Sequence, residues 1–237
     1  MPVPDPEVRR LDEVYAGYRD DPRVRERWSR ENPGNRAMVA ERRAAALALL
    51  RERFPAGPVR LLDVGCGSGS ELAWLVGNGV RAEGVVGVDL LPRRVRDARE
   101  GHARLAFAAA NAEALPFRDG AFDVVVLYTV LSSILDPAME RRVAAETSRV
   151  LKPGGAILWY DMRWPNPSNR SIRPVGMRRL RALFPGLGVR ARRITLAPPL
   201  ARRLGRATDR LYPVLSKVPA LCSHTLAFLE KPKGAVP

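Results

Sequence analysis

The fold is decided by residues 61–70, Leu61-Leu62-Asp63-Val64-Gly65-Cys66-Gly67-Ser68-Gly69-Ser70. Residues 59–64 have the apolar pattern of a buried strand, and the glycines after them let the backbone turn sharply and present its N–H groups to a ligand. The spacing is Gly-x-Gly-x-Gly, whereas the dinucleotide fingerprint is Gly-x-Gly-x-x-Gly, and position 70 holds serine. No Gly-Lys-Ser/Thr follows, which excludes a P-loop. The stretch therefore predicts a ligand site at the carboxyl end of a strand in an open α/β sheet.

Strands and helices alternate along the chain on the C-terminal side of this loop. We expect a Rossmann-like α/β fold with a doubly wound seven-stranded sheet, mostly parallel with the last strand antiparallel, and helices on both faces. The pattern predicts strands over residues 59–64, 85–88, 104–109, 122–127, 156–160, 188–196 and 222–229, helices over 70–76, 92–100, 137–150 and 175–184, and a tight turn at 152–155.

Two regions lie outside this alternation. Residues 1–57 predict an N-terminal helical extension or lid, with helices over 8–30 and 38–53 separated by a break at 31–35. Residues 58–237 predict the ligand-binding domain, which carries a basic, amphipathic helical insertion near 198–220.

The positive charge is concentrated near the C-terminus. The formal net charge is +15, and residues 162–237 carry 16 Lys+Arg but only two Asp+Glu. A surplus of this size favours an anionic partner, although the arginine-rich composition of the whole chain accounts for part of it. The two cysteines exclude a disulfide framework, and no apolar run approaches the ~20 residues of a membrane span. With no apolar segment at the N-terminus, we expect a cytoplasmic protein.

Five ordered motifs resemble those of the class I S-adenosylmethionine-dependent methyltransferases, of the small-molecule, quinone-biosynthesis-like type. Together they span residues 61–161. They are the 63–69 loop, Gly87-Val88-Asp89-Leu90, Asn111-Ala112-Glu113-Ala114-Leu115-Pro116-Phe117, Gly120-Ala121-Phe122-Asp123-Val124-Val125-Val126 and Arg149-Val150-Leu151-Lys152-Pro153-Gly154-Gly155.

This resemblance implies S-adenosyl-L-methionine as the cofactor and assigns residues to it. Asp63 would orient the amino-acid moiety, Asp89 would accept both ribose hydroxyl hydrogens, and Leu90 would pack on the adenine. Asn111 and Ala112 stand where the family usually has Asp-Ala at the adenine edge, so the asparagine is a departure. The other cofactor contacts expected are Gly65, Cys66, Gly67, Gly69, Tyr128 and, at the methionine carboxylate, Arg36.

The acceptor is expected at residues 160–173, a polar segment after the fifth strand. Asp161 is the best candidate for a general base, and the alternative is that it pairs with Arg163 or caps the loop. Arg163 and Arg173 suit a carboxylate or phosphate, and Asn166 and Asn169 suit hydroxyls. No metal site is expected, because His102 and His224 stand without carboxylates at ligand spacing. Of the two, His224 is either a base or a structural residue.

These residues favour a small-molecule O-methyltransferase that acts on a sugar or another polar or anionic metabolite of a natural-product or polysaccharide pathway. One alternative is an RNA methyltransferase that uses the basic C-terminal third, although no nucleic-acid-binding module is recognisable. Another is a lipid or quinone methyltransferase on a membrane surface. A third is a protein that binds the cofactor without methyl transfer. The 198–220 insertion is also a candidate contact of a homodimer.

Overall fold

Seven strands form one sheet in the part of the chain that the computed structural model describes, residues 5–55, 59–80, 82–167 and 169–234. They are β1 (Val59–Val64), β2 (Ala82–Asp89), β3 (Ala106–Ala109), β4 (Phe122–Tyr128), β5 (Leu151–Met162), β6 (Gly188–Leu196) and β7 (Cys222–Glu230). The helices of the same residues are α1 (Pro6–Asp20), α2 (Pro22–Arg27), α3 (Pro33–Arg53), α4 (Ser70–Gly77), α5 (Pro92–Gly101), α6 (Pro137–Val150), α7 (Met177–Leu183), α8 (Pro198–Arg203) and α9 (Thr208–Leu215). None of them is both long and apolar enough to cross a lipid bilayer.

The strand order, β3-β2-β1-β4-β5-β7-β6, confirms the doubly wound sheet. Strands β1 to β5 pair in parallel, while β7 lies antiparallel to both β5 and β6. Because β6 and β5 both oppose β7, their carboxyl ends lie at the same edge of the sheet. This edge, where β1 to β6 all end, is called the carboxyl edge below.

Apolar cores lie on both faces of the sheet, as the continuous apolar strands predict. On one face Leu61, Leu158 and Phe228 pack with side chains of α3, α4 and α5. On the other face Val125 and Trp159 pack with side chains of α1, α6 and α7. Successive residues of a strand therefore face different helix layers, a relation that matters for the site.

The strand order changes direction between β1 and β4. From β1 the chain proceeds outward to β2 and β3, and then returns to β4 on the other side of β1. In open α/β sheets the crevice beyond the carboxyl ends of such strands is the usual place for a ligand. The glycine loop at 65–69 follows β1 at this point.

The N-terminal helices begin earlier than the sequence predicts, and the helix predicted over 8–30 is divided at Asp21, which caps α2. The break before α3 lies at 28–32 instead of 31–35, because Asn32 caps α3 by accepting hydrogen bonds from the N–H groups of Gly34 and Asn35. Pro33 occupies the first helical position, where its missing N–H costs nothing. The boundary predicted between residues 57 and 58 lies outside the described residues.

Two further segments differ from the sequence prediction. Residues 152–155 do not form a tight turn, because β5 begins at Leu151 and reaches the register of β4 through an irregularity. The insertion forms two helices, α8 and α9, and Pro213 lies inside the second. These helices pack on α3 through Met38, Ala201 and Tyr212. They connect the end of β6 to the start of β7, so they lie at the carboxyl edge.

Candidate functional site

A cleft opens at the carboxyl edge, beyond the ends of the paired strands β1 and β4. Its walls come from the ends of β1, β2 and β4, from the turn at Leu131–Ser133, and from helices α1, α5 and α6. The lining residues include Leu11, Tyr15, Gly65, Asp89, Leu90, Leu91, Arg94, Asn111, Ala112, Tyr128, Thr129, Ser133, Met139 and Val143. The structure therefore brings together Gly65, Asp89, Leu90, Asn111, Ala112 and Tyr128 of the predicted set.

The glycine loop is held against β2 in a conformation that favours glycine. The N–H groups of Gly65 and Cys66 both donate to the Val88 carbonyl, at 2.8 and 2.9 Å. Gly67 has a φ of 56°, and a Cβ there would lie 2.6 Å from a guanidinium nitrogen of Arg94. A side chain at this position would therefore be strained and would displace Arg94.

Asp89 ties the loop to the rest of the cleft. Its carboxylate is buried and accepts hydrogen bonds from the N–H groups of Gly67 and Leu91, at 2.9 and 3.0 Å. Arg94 lies 3.6 Å from this carboxylate and stacks over the ring of Tyr15 at 4.6 Å. Two of the four acceptor positions of the carboxylate remain after these backbone contacts, which suits the two hydroxyls of a ribose.

Asn111 and Glu113 brace each other at the other end of the cleft. Asn111 Oδ1 accepts from the Glu113 N–H at 2.9 Å, and its Nδ2 donates to the Glu113 carboxylate at 3.0 Å. Glu113 also pairs with Arg142. The amide of Asn111 donates to Glu113, which an aspartate could not do, and the second lone pair of Oδ1 remains for an exocyclic amine.

A buried cluster of charges lies beside the glycine loop. Arg42 of α3 pairs with Glu71 at 2.8 Å, and Arg43 pairs with the same carboxylate at 2.9 Å. Burial acts to raise the pKa of Glu71, but the two guanidinium groups outweigh it and hold that pKa below its ordinary value. Asp63 is buried nearby, and burial, together with the charges of Glu71 and Asp89, raises its pKa to about 8.

Aromatic rings surround Arg42 on its other sides. Its guanidinium lies 5.3 Å from the ring of Tyr128 and 5.2 Å from the ring of Tyr160. The His224 ring stacks on Tyr160 at 4.7 Å, with an interplanar angle of 2°. Burial and the charge of Arg42 lower the pKa of His224 to about 3, so its imidazole is neutral at physiological pH. His224 Nδ1 is also hydrogen-bonded to Ser223 Oγ, at 2.8 Å.

Asp161 points away from this cluster. Along β5 it alternates with Tyr160, so it faces the opposite helix layer, where it is fully buried. Its carboxylate accepts from the N–H groups of Ser132, at 3.0 Å, and Met162, at 2.8 Å. Burial raises its pKa to about 7, against these hydrogen bonds. Asp161 does not line the cleft; it fastens the turn at Leu131–Ser133 that does.

The structure gives the four predicted acceptor residues three different environments. Arg163 donates to the carbonyls of Pro219 and Cys222, and Asn169 donates to Tyr18 and caps the N–H of Ser171, so these two side chains hold the loop itself. Asn166 is exposed on the loop.

Arg173 is different, because Nε and one terminal nitrogen of its guanidinium are buried without a hydrogen-bond partner. Its nearest carboxylate, that of Glu140, is 4.0 Å away, and its own N–H donates to the Ser132 carbonyl. The backbone of Arg173 thus contacts the turn that lines the cleft, and two nitrogens of its guanidinium donate no hydrogen bond.

Arg36 and Cys66, which the resemblance also assigns to the cofactor, do not line the cleft. Arg36 donates to the carbonyls of Arg30 and Glu31, so its guanidinium holds the start of α3, whereas Arg42, on a different side of α3, pairs with Glu71 beside the glycine loop; neither lines the cleft. Cys66 is buried under the loop, and burial raises the pKa of its thiol well above the ordinary value. Among the described residues, no group of three His, Cys, Asp or Glu could hold a metal ion.

Sequence reasoning missed Arg42 and two strained threonines. Thr129, in the cleft wall, has a φ of 54°, and Thr195 has a φ of 66°. Such angles are unusual for β-branched residues and tend to occur at functional sites. Thr195 is held by its N–H bond to Glu41 and its hydroxyl contact with Tyr160. Backbone strain has no signature in the local sequence. Arg42 is one of several arginines on α3, so the sequence does not single it out.

These residues fit the cofactor that the resemblance implies. A carboxylate and a guanidinium, those of Asp63 and Arg42, are buried beside the glycine loop, outside the cleft lining, and they suit an ammonium and a carboxylate. Arg42 Nε and Tyr128 Oη are buried without hydrogen-bond partners, so both can donate a hydrogen bond to a bound ligand. The slot between Leu90, Ala112 and Met139 is apolar, as an adenine ring requires.

The comparisons with known proteins agree with this geometry. A family model described as a methyltransferase domain matches residues 62–159. A methyltransferase of Synechocystis sp., sll0829, is 31% identical over 149 residues, which are 59% of this chain and 68% of the relative. A demethylmenaquinone methyltransferase of Clavibacter sepedonicus is 33% identical over 122 residues, 50% of this chain but 47% of its own length. The N-methyltransferase NodS of Bradyrhizobium japonicum, solved with S-adenosyl-L-homocysteine, superposes with a TM-score of 0.64 at 19% identity, covering 96% of this chain and 100% of NodS.

Proposed function

The chain belongs to the class I S-adenosylmethionine-dependent methyltransferases, and we propose that it methylates an oxygen of an anionic small-molecule acceptor. The bound cofactor supplies a methyl group already activated on a sulfonium. The observation that carries the finer proposal is Arg173, which follows the turn of the cleft wall: two guanidinium nitrogens have no hydrogen-bond partner, and the contact with Glu140 is long, at 4.0 Å. A guanidinium in this state is suited to a carboxylate, phosphate or phenolate.

The cofactor is proposed to lie along the cleft. Asp89 would accept from the ribose hydroxyls through its two remaining acceptor positions, and Asn111 would accept from the adenine amine. At the other end, Asp63 would pair with the ammonium of the amino-acid moiety and Arg42 with its carboxylate. In this proposal Arg42 takes the role that the sequence assigns to Arg36.

The N-terminal helix is proposed to act as the lid. Tyr15 lines the cleft and contacts Ser133 through its hydroxyl at 2.9 Å. Arg10 donates to the carbonyls of Ser133 and Ser171, so α1 joins the cleft wall to the acceptor loop. In this proposal α1 is the part of the N-terminal extension that acts as the lid, and its contacts would keep water out of the cleft and so strengthen charge interactions inside it.

The proposed acceptor is one whose hydroxyl ionises readily. Asp161, the candidate base, is withdrawn into the core, and the imidazole of His224 has too low a pKa to hold a proton near neutrality. A phenol, enol or carboxylic acid loses its proton without such help, whereas a sugar hydroxyl does not. The geometry therefore supports an ionisable hydroxyl over the sugar favoured by the sequence pattern.

A quinone precursor is a second candidate within the same chemistry. It is favoured by the similarity to a demethylmenaquinone methyltransferase, although the match covers less than half of that relative. A reduced quinone carries ionisable hydroxyls, so it would lose its proton without help from Asp161 or His224.

A test measures S-adenosylhomocysteine formation with matched sets of phenols or enols, carboxylic acids, sugars and short RNA. We expect turnover with ionisable hydroxyls or carboxylates, and turnover of sugars alone would contradict the proposal. With the best acceptor, Arg173→Gln should raise KM about tenfold or more, with kcat nearly unchanged, because it removes binding rather than chemistry. Arg178→Gln, an exposed arginine five residues along, is the control and should leave KM unchanged.

A further inference from the structure

The segment from Pro198 to Leu221, called the strap below, presents an unusual apolar surface. Five large apolar side chains are notably exposed among the described residues, and three of them are on the strap. Leu211 and Val214 lie one turn apart on α9, and Val218 follows in the next turn, with exposures of 45, 62 and 43%. The opposite side of α9, with Thr208 and Tyr212, is buried against α3. The exposed stripe is therefore an outward face and not part of the core.

Unpaired cations surround this stripe. The strap contains five basic residues and one acid, Asp209. Among the described residues, no carboxylate forms an ion pair with any of the five. The cations are Arg202, Arg203, Arg206, Arg210 and Lys217. Elsewhere in the C-terminal third, arginines such as Arg179 and Arg190 are neutralised by glutamates.

The other two exposed apolar side chains are tryptophans that flank the strap. Trp28 is 53% exposed and stacks with Arg202 of α8 at 5.1 Å. Trp164 is 38% exposed and stacks with Arg163, whose guanidinium donates to the carbonyls of Pro219 and Cys222. Tryptophan is the residue most typical of the interface between lipid headgroups and acyl chains.

A groove of about 600 Å³ is bordered by α9, α3 and β6. Its wall contains three cations, Arg192, Arg193 and Lys217, and two carboxylates, Glu41 and Asp209. Because the carboxylates offset most of this positive charge, attraction to anionic lipid depends on the cations of the strap and not on the groove.

We propose that the strap, with Trp28 and Trp164, docks this protein on an anionic lipid bilayer. The apolar stripe would enter the headgroup region while the cations meet anionic lipids, the combination that peripheral membrane helices use. An RNA partner would explain the cations but would gain nothing from exposed leucine and valine. Since the strap lies at the carboxyl edge, docking turns the acceptor side of the sheet toward the membrane. This proposal depends on the surface alone and holds whichever acceptor is methylated.

The test is co-sedimentation of the full chain with vesicles of phosphatidylcholine and of phosphatidylcholine with about one third phosphatidylglycerol. We expect binding to the anionic vesicles at least about tenfold stronger, and weakened by salt. L211D/V214D and R206E/R210E should each reduce that binding about tenfold or more. R118E/R181E is the matched control, because both arginines are exposed and precede β4 and β6 at the opposite edge. It should bind as the unaltered chain does.

Melting temperatures and fluorescence quenching accompany the sedimentation assay. Unchanged melting temperatures would show that the variants are folded, and quenching of tryptophan fluorescence by brominated lipids, lost in W28F/W164F, would show insertion. The proposal is overturned by failure of the unaltered chain to bind anionic vesicles, or by equal losses in the control. It is also overturned if R206E/R210E alone is defective and the chain binds RNA instead. A strap buried in a homodimer, detected by light scattering and dispersed by L211D/V214D without vesicle binding, would overturn it as well.

Discussion

Replacing Asp161 with asparagine separates a structural role from a catalytic one. The carboxylate accepts two backbone hydrogen bonds, one from Ser132 in the cleft wall and one from Met162 in its own strand. Asparagine has a single acceptor oxygen, so its amide nitrogen would face one of these N–H groups. The site is fully buried, and no water would replace the lost acceptor.

The expected cost follows from this geometry. Leaving one buried donor without an acceptor costs about 1–3 kcal/mol. In a chain of this size each kcal/mol lowers the melting temperature by about 2–4 °C, so a loss of about 2 kcal/mol corresponds to roughly 4–8 °C. Loss of a general base would instead lower kcat by about 10²- to 10⁴-fold. The two roles therefore predict different measurements.

The assay combines calorimetric melting with kcat on an accepted substrate. Asp136→Asn is the matched control, since that carboxylate also accepts two backbone N–H groups, at the exposed start of α6, where asparagine caps equally well. We expect Asp161→Asn to lower the melting temperature while kcat falls less than about tenfold. A fall in kcat of about 10² or more, with an unchanged melting temperature, would refute the positioning role.

Three further outcomes are expected. Arg42→Met should weaken S-adenosylhomocysteine binding about tenfold in calorimetry by removing the cation beside the loop, whereas Arg36→Met on the same helix should not, and equal effects would contradict the assignment. Gly67→Ala should also weaken that binding, because its Cβ would meet a guanidinium at 2.6 Å, while Gly17→Ala, in open space, should not. The raised pKa of Asp63, about 8, means that the folded state holds this proton more tightly than the unfolded chain. The contribution of Asp63 to the stability of the ligand-free protein should then be complete below pH ~4 and be lost as the pH rises through about 8. Compared with the unaltered chain, Asp63→Asn should lose less stability between these pH values, and an identical pH profile for the two proteins would contradict the shift.

The sequence predicted the cofactor side of the fold well because local signals specify it. Glycines that follow a buried strand have few uses, so Gly65 and Gly67 were assignable without a tertiary structure. Asp89 ends the next strand and must lie at the same edge. For such residues the position along the chain already determines the position in space.

The acceptor side depends on facts that no local pattern contains. Tyr160 and Asp161 are neighbours on β5, and only the packing of the helix layers determines which of them faces the charge cluster. Likewise, Arg36 and Arg42 lie on one helix, and only the docking of that helix determines which is buried. The charge count also could not tell which cations are neutralised by glutamates and which, on the strap, are not.

The most direct test of the central claim, that the cleft between β1 and β4 holds the cofactor, is the affinity of Asp89→Ala for S-adenosylhomocysteine. Asp123→Ala is its control, because Asp123 lies at the start of β4, at the opposite edge, and pairs with Lys152. We predict that titration calorimetry will show a Kd at least about tenfold higher for Asp89→Ala than for the unaltered chain and for Asp123→Ala. An unchanged Kd in a folded Asp89→Ala protein would contradict the placement of the cofactor in this cleft.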